Sequence, residues 1–346
     1  MAVPGYGYEE RYGWGLETTY GTPVTPTSFH RALTNTVVPD DPRNSRPSPS
    51  GFRVARVHGA AAATPLEITG LPNIAGTITE EVNYDHLGLG LANAMRVLDG
   101  TSPDQYVLSG VGPYTHTMLN PTGPQDPPTP LTMIRYNGQQ PLRCKGGAVD
   151  RFQLTVSNDG PAIVSYDVFF QGFDNTTAGT PSFNEPAIPR IFSLEMLHDG
   201  AGTDPPTTAI PNVQSATLTI ENNLRRIMAG NAANVRGIIE PIENAQQVIS
   251  LEFTVDWDTD TYQGWWDNDG TTGYRSIQLK LDNGASDSIT IDLLAARALP
   301  AWPPFDGGQG PILQTLRFEA AVWNDAINDE IMRVVIVAPN QSASVV

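Results

Sequence analysis

The sequence predicts a mainly β protein: two tandem β-sandwich or barrel domains, each with a short flanking helix, behind an N-terminal arm and a long loop. Three observations carry this. Gly and Pro number 32 and 30 in 346 residues, which suits many short strands joined by turns. Only 16% of residues are charged, too few for a helical bundle or coiled coil, while 40% are hydrophobic, enough to pack a core against the entropy of folding. Apolar residues alternate along several runs, as half-buried strands require. The net charge of −17 argues against a protein that grips phosphate backbones, which carries a basic face.

Residues 1–62 read as an arm and basic Pro-rich loop belonging to the first domain. Tyr6 to Tyr20 is dense in Gly and aromatic residues, and Pro39, Pro42, Pro47 and Pro49 interrupt regular structure. Between Arg31 and His58, five arginines (31, 43, 46, 53 and 56) stand against Asp40 and Asp41. That gives +3 there and leaves −20 for the remainder. A basic, proline-stiffened loop on an acidic body invites self-association; a solvated surface loop is the ordinary alternative.

The first domain is expected over 63–185. Leu66–Thr69 and Thr77–Val82 are β-prone. Asp85 stands as an N-cap before Leu87, Leu91, Ala94, Met95 and Leu98, which lay one apolar stripe on a helix weakened by Gly88 and Gly90. A Pro/Gly segment covers 100–130. Strands resume at Leu131–Tyr136, Phe152–Ser157 and Ile163–Phe170, with a hairpin turning on Asn158-Asp159-Gly160.

The second domain is expected over 186–346, with the junction near Phe183–Pro189. Leu251, Phe253, Val255 and Trp257 alternate on one strand face, and Asp260 heads a short helical stretch with Tyr262, Trp265 and Trp266. Setting Asp85 on Asp260 puts Ile78 on Phe253 and Val82 on Trp257. Gln278–Gly284 echoes Gln153–Gly160. These matches read as a diverged tandem duplication with a longer insertion in the first copy; chance resemblance between β-rich stretches is the alternative.

Sites of chemistry are few. Asp256, Asp258 and Asp260, with Asp267, have part of the spacing of a calcium loop. Thr261 stands where that loop needs Gly and Asp267 where it needs Glu, so a solvated strand edge and helix cap is preferred. The five histidines (30, 58, 86, 116 and 198) show no metal-binding spacing, and the lone Cys144 excludes an intrachain disulfide. No nucleophile elbow or phosphate loop is present. Tryptophans beside acids would also suit a sugar-processing β enzyme, but they fit core positions better. No catalytic residue, metal or cofactor is expected. The N-terminus shows no signal peptide, and no apolar run approaches the roughly 18 residues that span a bilayer. Synthesis and assembly in the cytosol follow as the expectation.

Glu10-Arg-Tyr-Gly-Trp-Gly-Leu-Glu17-Thr-Thr-Tyr-Gly21-Thr-Pro23-Val-Thr-Pro-Thr27 resembles the opening of major tail tube proteins of long-tailed, non-contractile bacteriophages. The closest part is Glu17 to Pro23. The resemblance continues through Gly76–Met95, Tyr136–Gly147 and Phe152–Phe170, about residues 9–175, with the second half matching more loosely. It implies a β-sandwich subunit that stacks in rings around a lumen through which genomic DNA leaves without specific binding. A duplicated chain would resemble relatives that build the ring from three subunits in pseudo-sixfold array, although three and six chains per ring both stay open. It further implies tape measure, tail tip and terminator proteins as partners, no membrane, and a place in the virion tail after assembly in the host cytoplasm. The acidic composition would make the lumen repel DNA. Arg43, Arg46, Arg53 and Arg56 in the loop, with Tyr12 and Trp14 in the arm, are the expected contacts between rings. A β-sandwich that binds or decorates the virion surface is the alternative.

Overall fold

The computed structural model describes residues 11–26, 29–40, 73–84, 87–97, 106–109, 114–120, 129–136, 141–175, 193–230, 236–243, 245–256, 274–282, 287–299, 313–321, 323–324 and 329–338. The first half contains β1 (Arg11–Leu16), β2 (Thr34–Asn35), β3 (Val38–Asp40), β4 (Asn73–Glu81), helix α1 (Leu87–Ala94), β5 (Tyr106–Ser109), β6 (Tyr114–Leu119), β7 (Leu131–Tyr136), β8 (Leu142–Ser157) and β9 (Ile163–Asn175). The second half contains β10 (Ser193–Gly200), β11 (Thr208–Ala209), β12 (Val213–Glu221), β13 (Leu224–Gly230), β14 (Arg236–Glu243) and β15 (Val248–Asp256). It ends with β16 (Tyr274–Asp282), β17 (Ser288–Leu299), β18 (Leu313–Ala320), β19 (Trp323–Asn324), β20 (Asp329–Glu330) and β21 (Arg333–Ala338).

The protein is mainly β, as its composition predicts. Seventeen strands join in one antiparallel sheet, while β13–β14 and β19–β20 form separate two-stranded pairs. Two runs of neighbours stand out. The first is β1–β7–β8–β9–β4–β3. The second is β10–β16–β17–β18–β15–β12. Numbered by chain order within its half, each run lists its strands in the same sequence. The match of Ile78 with Phe253 falls on β4 and β15, which hold the same place in both runs. The hairpin echo falls on β8 and β16, which do not.

The halves share hydrogen bonds across the expected junction. Ser215–Glu221 of β12 pair with Arg151–Ser157 of β8, and Arg333–Ala338 of β21 pair with Tyr114–Leu119 of β6. The sheet folds back on itself over one apolar cluster. Ile78, Phe152, Tyr166, Leu218, Phe253 and Phe318 enter it from one side, and Met118, Leu279, Ile291 and Val334 from the other.

Several expectations change. Arg11–Leu16, part of the expected arm, is a strand against β7, and Thr34–Asp40 runs along β4. β5 and β6 occupy part of the segment read only as Pro/Gly-rich; the Thr and His residues of β6 disguise its alternation. Helix α1 has seven of its eight residues buried, all but Leu89, so it is a core helix rather than an amphipathic one. Its Gly90 is a packing requirement: a Cβ there would lie 2.4 Å from the Tyr166 ring. Asp85, Leu98, the second helix, the 183–189 junction and Leu66–Thr69 lie outside the described residues.

Candidate functional site

The residues that carried the resemblance have a local structural reason. Glu17, 1% exposed, accepts hydrogen bonds from the Gly21 N–H (2.8 Å), the Gly146 N–H (2.9 Å) and the Thr132 hydroxyl (2.6 Å). Thr132 in turn accepts the Val24 N–H at 3.0 Å. One carboxylate thus folds the Glu17–Gly21 turn and pins it to β7 and β8. Gly21 has φ +77°, a conformation that strains other residues, and a Cβ there would meet the end of the Gln171 side chain at 2.1 Å. Burial raises the Glu17 pKa, while its three donors pull it back.

Tyr12 and Trp14, expected between rings, are 0% and 4% exposed within the single chain. They sit on β1 with rings edge to face at 5.4 Å, and Trp14 meets Tyr166 at 6.0 Å. This corrects their assignment: the aromatic alternation of the arm packs the subunit's own core. The Tyr12 hydroxyl donates to Glu80 at 2.5 Å, and Tyr166 approaches the other carboxylate oxygen at 3.4 Å. Burial pushes Glu80 up to about 7, against the opposing effect of the two phenols. Burial also raises both tyrosines, and the carboxylate adds to this.

A second buried polar cluster ties the halves together. Arg96, 2% exposed, follows α1 with φ +57° and donates to the Asn222 side chain (3.1 Å) and carbonyl (2.6 Å). Asn222 donates to the carbonyls of Ala94 and Val149, both at 2.9 Å. Gln247 donates to Asn222 at 2.6 Å, and Asn120 donates to Gln247 at 2.9 Å and to the Met95 carbonyl at 2.9 Å. The Ala94 carbonyl that ends α1 is therefore satisfied by Asn222 and Gln247 from the opposite half, and the Met95 carbonyl by Asn120.

On the outer layer, Arg333 bonds Asp292 (2.8 and 3.0 Å) and Asp204, and Gln278 donates to Asp292 at 2.6 Å. Arg333 holds Asp204 below the ordinary carboxylate range. Cys144 is buried with its thiol pushed up to about 12, so it is a poor nucleophile. Among the described residues no group of three or more His, Cys, Asp or Glu is placed to hold a metal. Asp256 ends β15; Asp258, Asp260 and Asp267 lie outside the described residues, as do Arg43, Arg46, Arg53 and Arg56.

The structure also holds a surface that sequence reasoning missed. In the layer β4–β9–β8–β12–β15–β18, directly paired residues share a face. Opposite the core that face carries Thr77, Thr79 and Glu81; Ser165 and Asp167; Arg151, Gln153, Thr155 and Ser157. It continues through Ser215, Thr217, Thr219 and Glu221, then Ser250, Glu252, Thr254 and Asp256, then Thr315, Arg317 and Glu319, with Ile163, Val248 and Leu313 as apolar positions along it. Hydroxyls link across strands: Thr77 donates to Asp167 at 2.6 Å, and Thr254 and Thr315 lie 3.3 Å apart. Both arginines face acids. Arg151 stands opposite Asp167 and 3.6 Å from Glu221, and Arg317 stands opposite Glu252. The signal for it was the Thr/Ser alternation, legible only once the strands are set side by side.

An antiparallel β core carrying one wide, polar, acid-biased sheet face is the described architecture. The chain belongs to the phage tail tube protein family, whose model matches residues 7–320. It is therefore a structural component of a phage tail in the virion. No curated protein matches the chain.

Proposed function

We propose that the chain polymerises as stacked rings into the tail tube of a long-tailed, non-contractile phage, and that its six-stranded polar face lines the lumen through which DNA leaves. The observation that carries this is that face. It spans both halves, is rich in hydroxyls, carries more acids than bases, and presents each arginine to an acid. A polyanion passing over it meets hydration and mild repulsion rather than cationic anchors. Strand addition between neighbours closes the sheet into a barrel and removes free edges.

The two runs of strands with matching order support a tandem duplication, the first copy within 1–185 and the second within 186–346. Each chain then supplies two pseudo-equivalent sectors, and three chains complete a pseudo-sixfold ring. The basic loop with Arg43, Arg46, Arg53 and Arg56 docks on the acidic face of the next ring. Tape measure, tail tip and terminator proteins contact the finished tube, which assembles in the host cytoplasm. The chemistry asked of the subunit is association, with no reaction to catalyse.

Electron microscopy of purified protein tests the reading directly. Rings or hollow tubes are expected, and globular monomers at high concentration overturn it. Mass measurement of an isolated ring should give three chains of 37.3 kDa; six would reject the duplicated ring while keeping the tube. Arg46→Glu with Arg53→Glu should block elongation and leave folding unchanged, and tubes of ordinary length would remove the loop's role.

A further inference from the structure

The two runs of strands agree in register, and at one place in the core their chemistry parts. Trp14 stands opposite Met133 as His198 stands opposite Ile277. Leu131 and Met133 pair with Gly147 and Cys144 across a bulge, as Arg275 and Ile277 pair with Ala296 and Leu293 across another. Ile78 is opposite Tyr166 as Phe253 is opposite Leu316. Each half also returns to its first strand. The His30 N–H donates to the Tyr12 carbonyl at 2.7 Å, and the Ile210 N–H to the Met196 carbonyl at 2.8 Å. Counting along these registers sets Tyr12 on Met196, His30 on Ile210, Glu80 on Val255 and Tyr166 on Leu316. None of the eight is more than 5% exposed.

The second half thus fills this place with apolar side chains, and the first with a carboxyl, two phenols and an imidazole, the last edge to face with Tyr12 at 6.1 Å. The same frame closes either way, so folding does not require the polar set. A carboxyl kept there costs solvation, and what it offers that Val does not is a proton to hold and release. Its hydrogen bonds come from Tyr12 on β1 and Tyr166 on β9. Among the described residues no cation acts on it, and burial pushes it up to about 7. Helix α1, packed on Tyr166, has no ionisable side chain, and β8 brings Phe152 to the same ring. Glu81 and Asp167 lie on the opposite, polar face. Of the strands that meet at Glu80, β1 is the least held. It pairs along one edge with β7 and on the other makes the single bridge to His30, whereas β4 and β9 are paired on both edges.

We propose that the Tyr12–Glu80–Tyr166 cluster is a proton-operated latch that holds β1 and its return at His30 closed over the first half, and that the second half carries no such latch. While Glu80 keeps its proton, the closed strand buries a neutral carboxyl between two phenols. When β1 lifts, water reaches the carboxyl and the proton leaves. Opening is therefore linked to proton release, and rising pH favours it by mass action. One half of the chain responds to neutral pH and its counterpart does not. On β10 the ionisable core group is His198, which burial and the nearby Arg275 hold below the ordinary histidine range, so it titrates on the acid side. The inference stands on the fold of the single chain and does not depend on ring or tube formation.

Hydrogen exchange on the full chain at about pH 6 and about pH 8, corrected for the intrinsic pH dependence of exchange, tests this. The matched amides of His30 and Ile210 are the readout, with Tyr12 beside His30. Protection of Tyr12 and His30 should fall about tenfold more than that of Ile210, as expected for a carboxyl near 7 when closed and 4.5 when open. Parallel changes at the two places overturn the proposal. Glu80→Gln keeps the shape without the proton and should bring the two places into step; a difference that survives it overturns the latch. Tyr12→Met, Glu80→Val and Tyr166→Leu together write the second half's residues into the first. That variant should fold and show no difference, and a difference persisting there has the same overturning force. If either variant fails to fold, the comparison within the unmodified chain decides.

Discussion

Glu80 shows how one residue ties the N-terminal strand to the body. Its carboxyl lies among the Tyr12 and Tyr166 phenols in the core, with its pKa raised to about 7 by burial. The folded state therefore holds a proton that the unfolded chain gives up near 4.5. Stability from this group is full below the unfolded value, falls as the pH rises toward about 7, and levels off above it. Across that window the loss approaches about 1.4 kcal/mol per pH unit. Glu80→Gln keeps the shape and a hydrogen-bonding group, so the variant should lose this slope. Urea unfolding at pH 5 and pH 8 should show a smaller difference for Glu80→Gln than for the unmodified chain; equal slopes would show that Glu80 does not titrate in this window. The motif around Glu17 was visible in the sequence, but its reason was not. The Gly146 and Thr132 groups that complete the cluster lie more than a hundred residues away.

At the scale of elements, α1 was predicted in the right place and in the wrong environment. Apolar spacing located Leu87–Ala94, but burial of nearly every position reflects packing against β8 and β1 and the side chains of the opposite half that cap it. Gly90 looked like a weakness of the helix. Ala would add about 1 kcal/mol of helix propensity, yet its Cβ would strike the Tyr166 ring. Gly90→Ala should therefore destabilise the protein by about 1–3 kcal/mol, the usual cost of overpacking. A rise in the thermal midpoint would show that the ring moves aside freely. The Arg96–Asn222 cluster makes a second case. Asn222→Ala removes the side-chain acceptor of the Arg96 Nε–H and the donor to the Ala94 and Val149 carbonyls, and it should cost about 3 kcal/mol or more in a urea titration. A cost below about 1 kcal/mol would mean that water replaces the side chain.

For the whole molecule, the wide polar face links structure to the proposed passage of DNA. Replacing Thr217, Glu252 and Thr315 together by Lys would turn neighbouring positions on β12, β15 and β18 cationic. Assembled protein carrying these changes should retain DNA, with affinity falling steeply as salt rises, while the unmodified assembly should not. Equal behaviour of the two would remove the face from the lumen. The opening arithmetic of −17 thus gains a location, since part of the acidity lies on one face where hydroxyls separate it and arginines are neutralised in place.

The sequence by itself determined the class: the Gly, Pro and alternating apolar content specifies β strands, and the order and spacing of stretches from Glu10 to Phe170 resemble the tail tube family. These are local properties, set by backbone preference and by which side of a strand is oily. Only the tertiary structure decided that Tyr12 and Trp14 face inward, that β8 and β12 join the halves, and that Thr and Ser from six strands form one surface. Those outcomes depend on pairing between strands far apart in the chain. Burial and cross-strand register become properties of the pair rather than of either segment, so no window of sequence contains them.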